Sequence, residues 1–252
     1  MDANIAKEIF NSKIPVRIYY GNTSTYIQVY RASYLLIELK ALIPEKSKFP
    51  YFIDKFTNLP LKWNLPISVL HDIHSSQNNS ETNSSVWELI LCNAENKSLF
   101  PEDLLEFNTW QEATKCQTFM MAKAADHIRN RGDTISKLTP QQKESRWTAF
   151  ETRNFDNFWS GNENLLSSSR NQWPMVIHTK KDGKSHSKMT QSTQFELEFK
   201  QSDDVFYEKT GNETNYFLNG VRVSAGQVIG DIELVSRACV MPDNCLHLVI
   251  ES

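Results

Sequence analysis

Three observations predict an α+β chain in which a helical module lies between two strand-rich ones. Apolar residues alternate with polar ones through the first third of the sequence, recur every three to four residues through the middle, and alternate again towards the end. Gly21-Asn22 and Asn219-Gly220 fall between alternating runs, where strands turn. The middle block holds Thr118-Phe119-Met120-Met121-Ala122-Lys123-Ala124-Ala125-Asp126-His127-Ile128-Arg129-Asn130, which sets a lysine among alanines.

The chain opens on a short amphipathic helix, Asp2 to Asn11, with Ile5, Ile9 and Phe10 on one side. Ile14, Val16, Ile18 and Tyr20 then alternate with Pro15, Arg17 and Tyr19. Thr25, Ile27 and Val29 repeat the period beyond Gly21-Asn22, which predicts a hairpin. Ser33 is placed to cap a helix whose stripe is Leu35, Leu36, Leu39, Leu42 and Ile43, ended by Pro44. Two strands followed by a helix that can lie across them open a β-grasp, the ubiquitin-like arrangement. Its remaining strands are expected at Phe52 to Phe56, at Leu61 to Leu70 and at Val86 to Leu91, with polar residues His74 to Ser85 as an inserted loop.

From about Ala94 the period becomes helical. Pro101 with Glu102 and Asp103 is expected to start a helix that buries Leu104, Leu105, Phe107 and Trp110. In the next helix Phe119, Met120, Ala124, His127 and Ile128 are expected on the apolar face, and Asn130-Arg131-Gly132 should stop it. Thr139-Pro140-Gln141-Gln142 combines a cap, a first-turn proline and a glutamine three residues on, the pattern of a capping box. Trp147, Phe150, Phe155, Phe158 and Trp159 read as the aromatic core of the helix that it starts. Gly161 to Gln172 reads as a linker.

Strand alternation returns in Trp173 to Ile177, Phe195 to Phe199, Tyr216 to Val223 and Leu246 to Ile250. Lys180 to Gln194 is expected as a charged excursion and Gln227 to Val240 as the crossing helix. The expected architecture is therefore two ubiquitin-like β-grasp domains flanking a helix-rich domain. Its divisions are an N-terminal helix over 1–13, a first ubiquitin-like domain over 14–93, a helix-rich domain over 94–171 and a second ubiquitin-like domain over 172–252.

The 252 residues carry 14 Phe, 8 Tyr and 6 Trp, enough for sizeable cores. A net charge of -3 argues against nucleic acid as partner, which calls for a basic stripe. Cys92, Cys116, Cys239 and Cys245 show no CxxC spacing and suit reduced cytosolic thiols. Neither a leader nor a membrane-spanning stretch is expected, and the Asn-x-Ser/Thr sites, such as Asn22 and Asn96, read as polar loop composition.

Lys123 is the candidate site. Ala122, Ala124 and Ala125 favour helix and leave the lysine stem open to a bulky catalyst. A free lysine amine is protonated at neutral pH, so an isopeptide bond needs an enzyme that holds a thioester beside it. The chain then acts as acceptor, not catalyst, and its end at Val249-Ile250-Glu251-Ser252, without a Gly-Gly tail, fits that expectation.

Across nearly its whole length the chain resembles the autophagy protein 5 family. The residues that carry the likeness are Ile14-Pro15-Val16, Ser33-Tyr34-Leu35, Leu59-Pro60-Leu61-Lys62-Trp63-Asn64-Leu65-Pro66-Ile67-Ser68-Val69-Leu70-His71-Asp72, Phe119 to Asp126, Phe155-Asp156-Asn157-Phe158-Trp159, Ile229-Gly230-Asp231 and Asp243-Asn244-Cys245-Leu246-His247-Leu248. The resemblance implies that Lys123 accepts the C-terminal glycine of the ubiquitin-like modifier autophagy protein 12. Activating enzyme autophagy protein 7 and conjugating enzyme autophagy protein 10 would carry the modifier there. It further implies that a groove binds a helix of autophagy protein 16. The conjugate would then act as an E3-like factor, through autophagy protein 3, for transfer of autophagy protein 8 to phosphatidylethanolamine. A cytoplasmic protein recruited to the pre-autophagosomal structure, peripheral to the membrane and without cofactor, is expected.

Competing chemistries are weaker on the residues. His71-Asp72-Ile73-His74 has a zinc-like spacing but lacks a second pair of ligands. A cysteine hydrolase pairing a thiol with His178 or His247 lacks a nucleophile elbow. A ubiquitin-like adaptor that binds only noncovalently would leave Lys123 as ordinary surface. Acidic residues Glu95 to Glu112 precede Lys123, and Arg129, Arg131, Lys137, Lys143 and Arg146 follow it. That asymmetry reads as solvated surface, or as contact of Arg129, Arg131 and Lys143 with anionic lipid.

Overall fold

The computed structural model describes residues 3–75, 86–107, 109–128, 134–166, 174–181, 184–191, 215–218, 221–223, 241 and 243–251. The chain divides into two compact units, Asn11–Thr118, and Met1–Phe10 with Phe119–Ser252.

In the Asn11–Thr118 unit, β1 (Lys13–Tyr20) and β2 (Thr23–Tyr30) form the expected hairpin. Gly21 takes φ +55, which glycine adopts without a Cβ clash. β3 (Phe49–Asp54) and β4 (Trp87–Ala94) complete a sheet of order β2-β1-β4-β3, in which β1 and β4 run parallel. That order is the β-grasp. Alternation sends Ile14, Val16, Ile18, Phe52, Leu89 and Leu91 inward, where Leu35, Leu36 and Leu39 are also fully buried.

Three expectations for this unit need correction. Ser33 does not cap the helix after the hairpin: Tyr34 is the N-cap without a side-chain bond, and α2 covers only Leu35–Glu38 before a 3-10 turn at Lys40–Leu42. The Ser33 carbonyl instead accepts from the Ile67 amide. Leu61 to Leu70 is not a strand. Pro66 precedes α3 (Ile67–Ser75), its fixed φ suiting a helix start, and Ile67, Leu70 and Ile73 are buried by helical spacing. No helix forms at 101–107. Phe100 packs on Phe49, Tyr51 and Phe107, and the Trp63 indole donates to the Leu105 carbonyl at 2.7 Å. Leu105 is exposed. The apolar residues there pin a loop to the outer face of the sheet.

In the other unit, α1 (Ala3–Asn11) buries Phe10 against Phe150, Phe155 and Phe158. α6 (Pro140–Glu151) starts on the capping box: Gln142 N donates to Thr139 Oγ1, and Thr139 N donates to Gln142 Oε1. The aromatic run belongs to two helices, because Arg153 at φ +59 turns the chain before α7 (Phe155–Leu166). Gly161 is therefore helical and not linker, while residues 167–172 lie outside the described residues.

The second sheet has β5 (Pro174–Lys181), β6 (Lys184–Gln191), β7 (Asn215–Leu218), β8 (Val221–Val223) and β9 (Leu246–Glu251), in the order β6-β5-β9-β7-β8. Much of the expected excursion at 180–194 is β6, hydrogen-bonded to β5 in register His178↔Ser187. The strand expected at 195–199 and the helix expected at 227–240 lie outside the described residues.

Candidate functional site

The acceptor candidate lies on α4 (Trp110–Ile128), whose length follows from Ala113, Ala122, Ala124 and Ala125 and from the absence of glycine or proline. Thr114 and Thr118 are buried without loss, since each hydroxyl donates to the carbonyl four residues back at 2.8 Å. Lys123 is exposed.

The buried stripe differs from the expected one. Thr118, Ala122, Ala125 and Asp126 are inside, whereas Met120, at 62% exposure, and His127 are outside. Phe119, Ala124 and Ile128 are half-buried. Small side chains let the helix backbone come close to its neighbours, which a face of Met and His would hold away. Ala122 packs with Ile135 of α5 (Thr134–Lys137), joined by Phe119 and Leu138. Ala125 packs with Val176 and Cys245, with Met121 and Met189 at the margin.

Asp126 is 1% exposed, and its Oδ2 accepts from the Ile135 amide at 2.6 Å. Among the described residues its Oδ1 has no hydrogen-bond partner. The helix-stop residues 130–132 lie outside the described residues, as do Arg129 and Arg131 of the lipid-facing group. Lys143 is half-buried on α6. Arg146, expected on a charged surface, is 6% exposed and donates to Asn244 Oδ1 at 2.7 Å.

The other candidate groups lie elsewhere. Asp72 Oδ1 is 3.1 Å from Arg31 and 3.4 Å from His71, while His74 Nδ1 faces the Thr57 hydroxyl at 3.3 Å. Their polar atoms join turns of the first sheet domain, and among the described residues no group of three potential metal ligands converges. Cys92 is half-buried, and burial pushes its thiol up from the ordinary value. Cys116 is exposed and Cys245 buried, all three being free thiols; Cys239 lies outside the described residues.

A chain of polar groups, buried at Asp243, His247 and His178 and reaching exposed Ser187, escaped the sequence reading. His247 Nε2 is 2.9 Å from Asp243 Oδ2, His247 Nδ1 is 3.0 Å from His178 Nε2, and His178 Nδ1 is 2.9 Å from Ser187 Oγ. The Asp243 carboxylate accepts from His247 Nε2–H, and the remaining ring nitrogens pass the series through His178 to the Ser187 hydroxyl, so each ring nitrogen of the pair has a polar partner. Asp243 and His247 stand four apart in the sequence, but His178 is 69 residues from His247, so only pairing of β5 with β9 reveals the set.

The two sheets, each a hairpin whose first strand pairs in parallel with the last, together with intervening helices, define an α+β protein of ubiquitin-like domains. Among the described residues no helix is long and apolar enough to cross a membrane. Residues 4–92 match the family described as "Autophagy protein ATG5, UblA domain" and residues 113–168 the "Autophagy protein ATG5, alpha-helical bundle region", together more than half of the chain. The autophagy protein 5 of Debaryomyces hansenii is 24% identical over 185 residues, which cover 64% of this chain and 62% of that protein. The match thus spans less than two thirds of the relative's length. The crystal structure of Kluyveromyces marxianus Atg5 superposes with a TM-score of 0.73 over 98% of both chains at 19% identity, a likeness of fold. The chain belongs to the autophagy protein 5 family.

Proposed function

We propose that this chain is a scaffold of autophagosome formation, conjugated through Lys123 to the ubiquitin-like modifier autophagy protein 12. The observation that carries the reading is an exposed lysine on a helix whose flanking residues Ala122 and Ala125 are fully buried. Its base is held rigid while its stem is open. In the transfer step the Lys123 amine attacks the thioester carbonyl held by the conjugating enzyme, autophagy protein 10. The C–N bond forms, the C–S bond breaks, the thiolate leaves, and the amine gives its proton to solvent.

With a helix of autophagy protein 16, the conjugate acts as an E3-like factor that promotes lipidation of autophagy protein 8 through autophagy protein 3, and the chain itself supplies no catalytic group. Activation by autophagy protein 7 precedes transfer. The division into residues 1–13, 14–93, 94–171 and 172–252 accompanies this reading. So do recruitment from the cytoplasm to the pre-autophagosomal structure and peripheral contact with anionic membrane through Arg129, Arg131 and Lys143.

The test is Lys123→Arg, which keeps the positive charge but not the competent amine. The wild type is expected to give a higher-mass adduct with a branched peptide at Lys123, and the variant none. An adduct of unchanged yield in the variant overturns the reading. Wild-type partner binding without any adduct would favour a purely noncovalent adaptor.

A further inference from the structure

We propose that Asp126 is a positioning residue for the acceptor lysine, acting by fixing the rotation of α4 about its own axis. The inference rests on the reading of Lys123 as acceptor.

Two attachments to one residue carry it. Ala122 packs on the Ile135 side chain, and one helical turn later Asp126 Oδ2 takes the Ile135 amide proton at 2.6 Å. Residues four apart lie one above the other on a helix face, so both attachments flank the turn that bears Lys123. Ala125, packed with Val176 and Cys245, holds another side of the helix, and the Ile135 pair adds the constraint that brackets Lys123. Two contacts one turn apart, against the same neighbour, set the direction in which the Lys123 stem leaves the helix.

Asp126 is also an expensive choice for packing alone. It is 1% exposed, and among the described residues Oδ1 has no hydrogen-bond partner, so half of the buried carboxylate adds nothing there. Its neighbours on the buried stripe are Thr118, Ala122 and Ala125, which fill that space without charge. What the carboxylate adds is a short, directional bond to the start of α5. Transfer to an amine needs the nitrogen at near-attack distance from the thioester carbon, and a small error in the direction of its stem lowers the rate steeply.

The experiment is single-turnover discharge of modifier-charged conjugating enzyme onto the full-length chain, with the maximal rate and the half-saturating concentration read separately. Asp126→Ala is expected to lower the maximal rate at least ten-fold, with half-saturation within three-fold of wild type. Asp126→Asn keeps an oxygen for the Ile135 amide and is expected to transfer within three-fold of wild type. Hydrogen exchange at the Ile135 amide should quicken in Asp126→Ala only. A wild-type maximal rate in Asp126→Ala overturns the proposal, as does a loss seen only in half-saturation, or an Asn variant as slow as the Ala variant.

Should Asp126→Ala fail to fold, Ile135→Ala decides: it keeps the amide bond and loses the packing on Ala122. A maximal rate at least three-fold lower supports two-point positioning, and an unchanged rate overturns it. Lys123→Arg run alongside separates the two readings. Full product from that variant removes the acceptor assignment itself, whereas a dead Lys123→Arg beside a wild-type Asp126→Ala removes only the positioning role.

Discussion

The two sheets share one topology and fill it differently. In each, a hairpin supplies two antiparallel strands, the first strand pairs in parallel with the last, and an antiparallel strand flanks that last one. The central pair of the first sheet turns Val16, Ile18, Leu89 and Leu91 inward. That of the second buries Met175, Val176, Leu246 and Leu248 together with His178 and His247, which are joined to each other and to Asp243. The same strand order therefore accommodates a buried polar pair among its apolar residues. Polar groups are tolerated there when their donors and acceptors meet in series, and they then join strands that apolar contact would only press together.

That comparison can be broken at its strongest point first. Leu89→Ala in β4 removes a fully buried side chain from a centre held by packing, and it should cost about 2–5 kcal/mol in chemical denaturation. A cost below about 1 kcal/mol would mean that the first centre is as forgiving as a surface. His247→Ala takes the hydrogen-bond partner from both Asp243 Oδ2 and His178 Nε2, and it should cost about 1–3 kcal/mol. A neutral outcome would show that the polar series adds nothing to packing.

The smallest effect sharpens the contrast between inside and outside. On the outer face of the first sheet, Glu88 accepts from Lys55 at 2.9 Å and from the Tyr19 hydroxyl at 2.7 Å. The Lys55 bond, then the Tyr19 bond, hold its carboxyl below the ordinary value. A depressed carboxyl stabilises the fold above its unfolded value and loses that contribution as pH falls through its folded one. Glu88→Gln should therefore flatten the acid limb of the stability curve below about pH 4.5, the unfolded value. At 36% exposure solvent screens the pair, and the change at neutral pH should stay under ~1 kcal/mol. An acid limb of unchanged slope would remove Glu88 from the account.

Legibility followed the range of the interaction. The first hairpin, β4, the capping box and β9 lie where alternation, Gly21 and Thr139-Pro140-Gln141-Gln142 put them, because a few neighbouring residues decide each. Leu61 to Leu70 was misread because short apolar runs broken by proline look alike as strand, loop or helix start. The α4 face was misread for another reason. Hydrophobicity pointed to Met120, but the neighbours of α4 admit only small side chains, and that depends on how close they come. The exposed lysine was legible, since alanine on both sides of Lys123 leaves no bulk to cover it. Nothing in the residues around Asp126 marks the Ile135 amide as its partner.

Local order, then, came from the residues themselves: which stretches alternate, where helices begin, and that Lys123 stands on helix. Partners came only with the folded chain. Ile135 beneath Ala122 and Asp126, His178 beside His247, and Phe10 among the α6 and α7 rings are pairings across loops of 9 to 148 residues. The reason is physical: the period of an apolar pattern is set by backbone geometry over a few residues. A contact between distant residues exists only when the whole chain has closed around it, and nothing in either residue's local sequence encodes its partner.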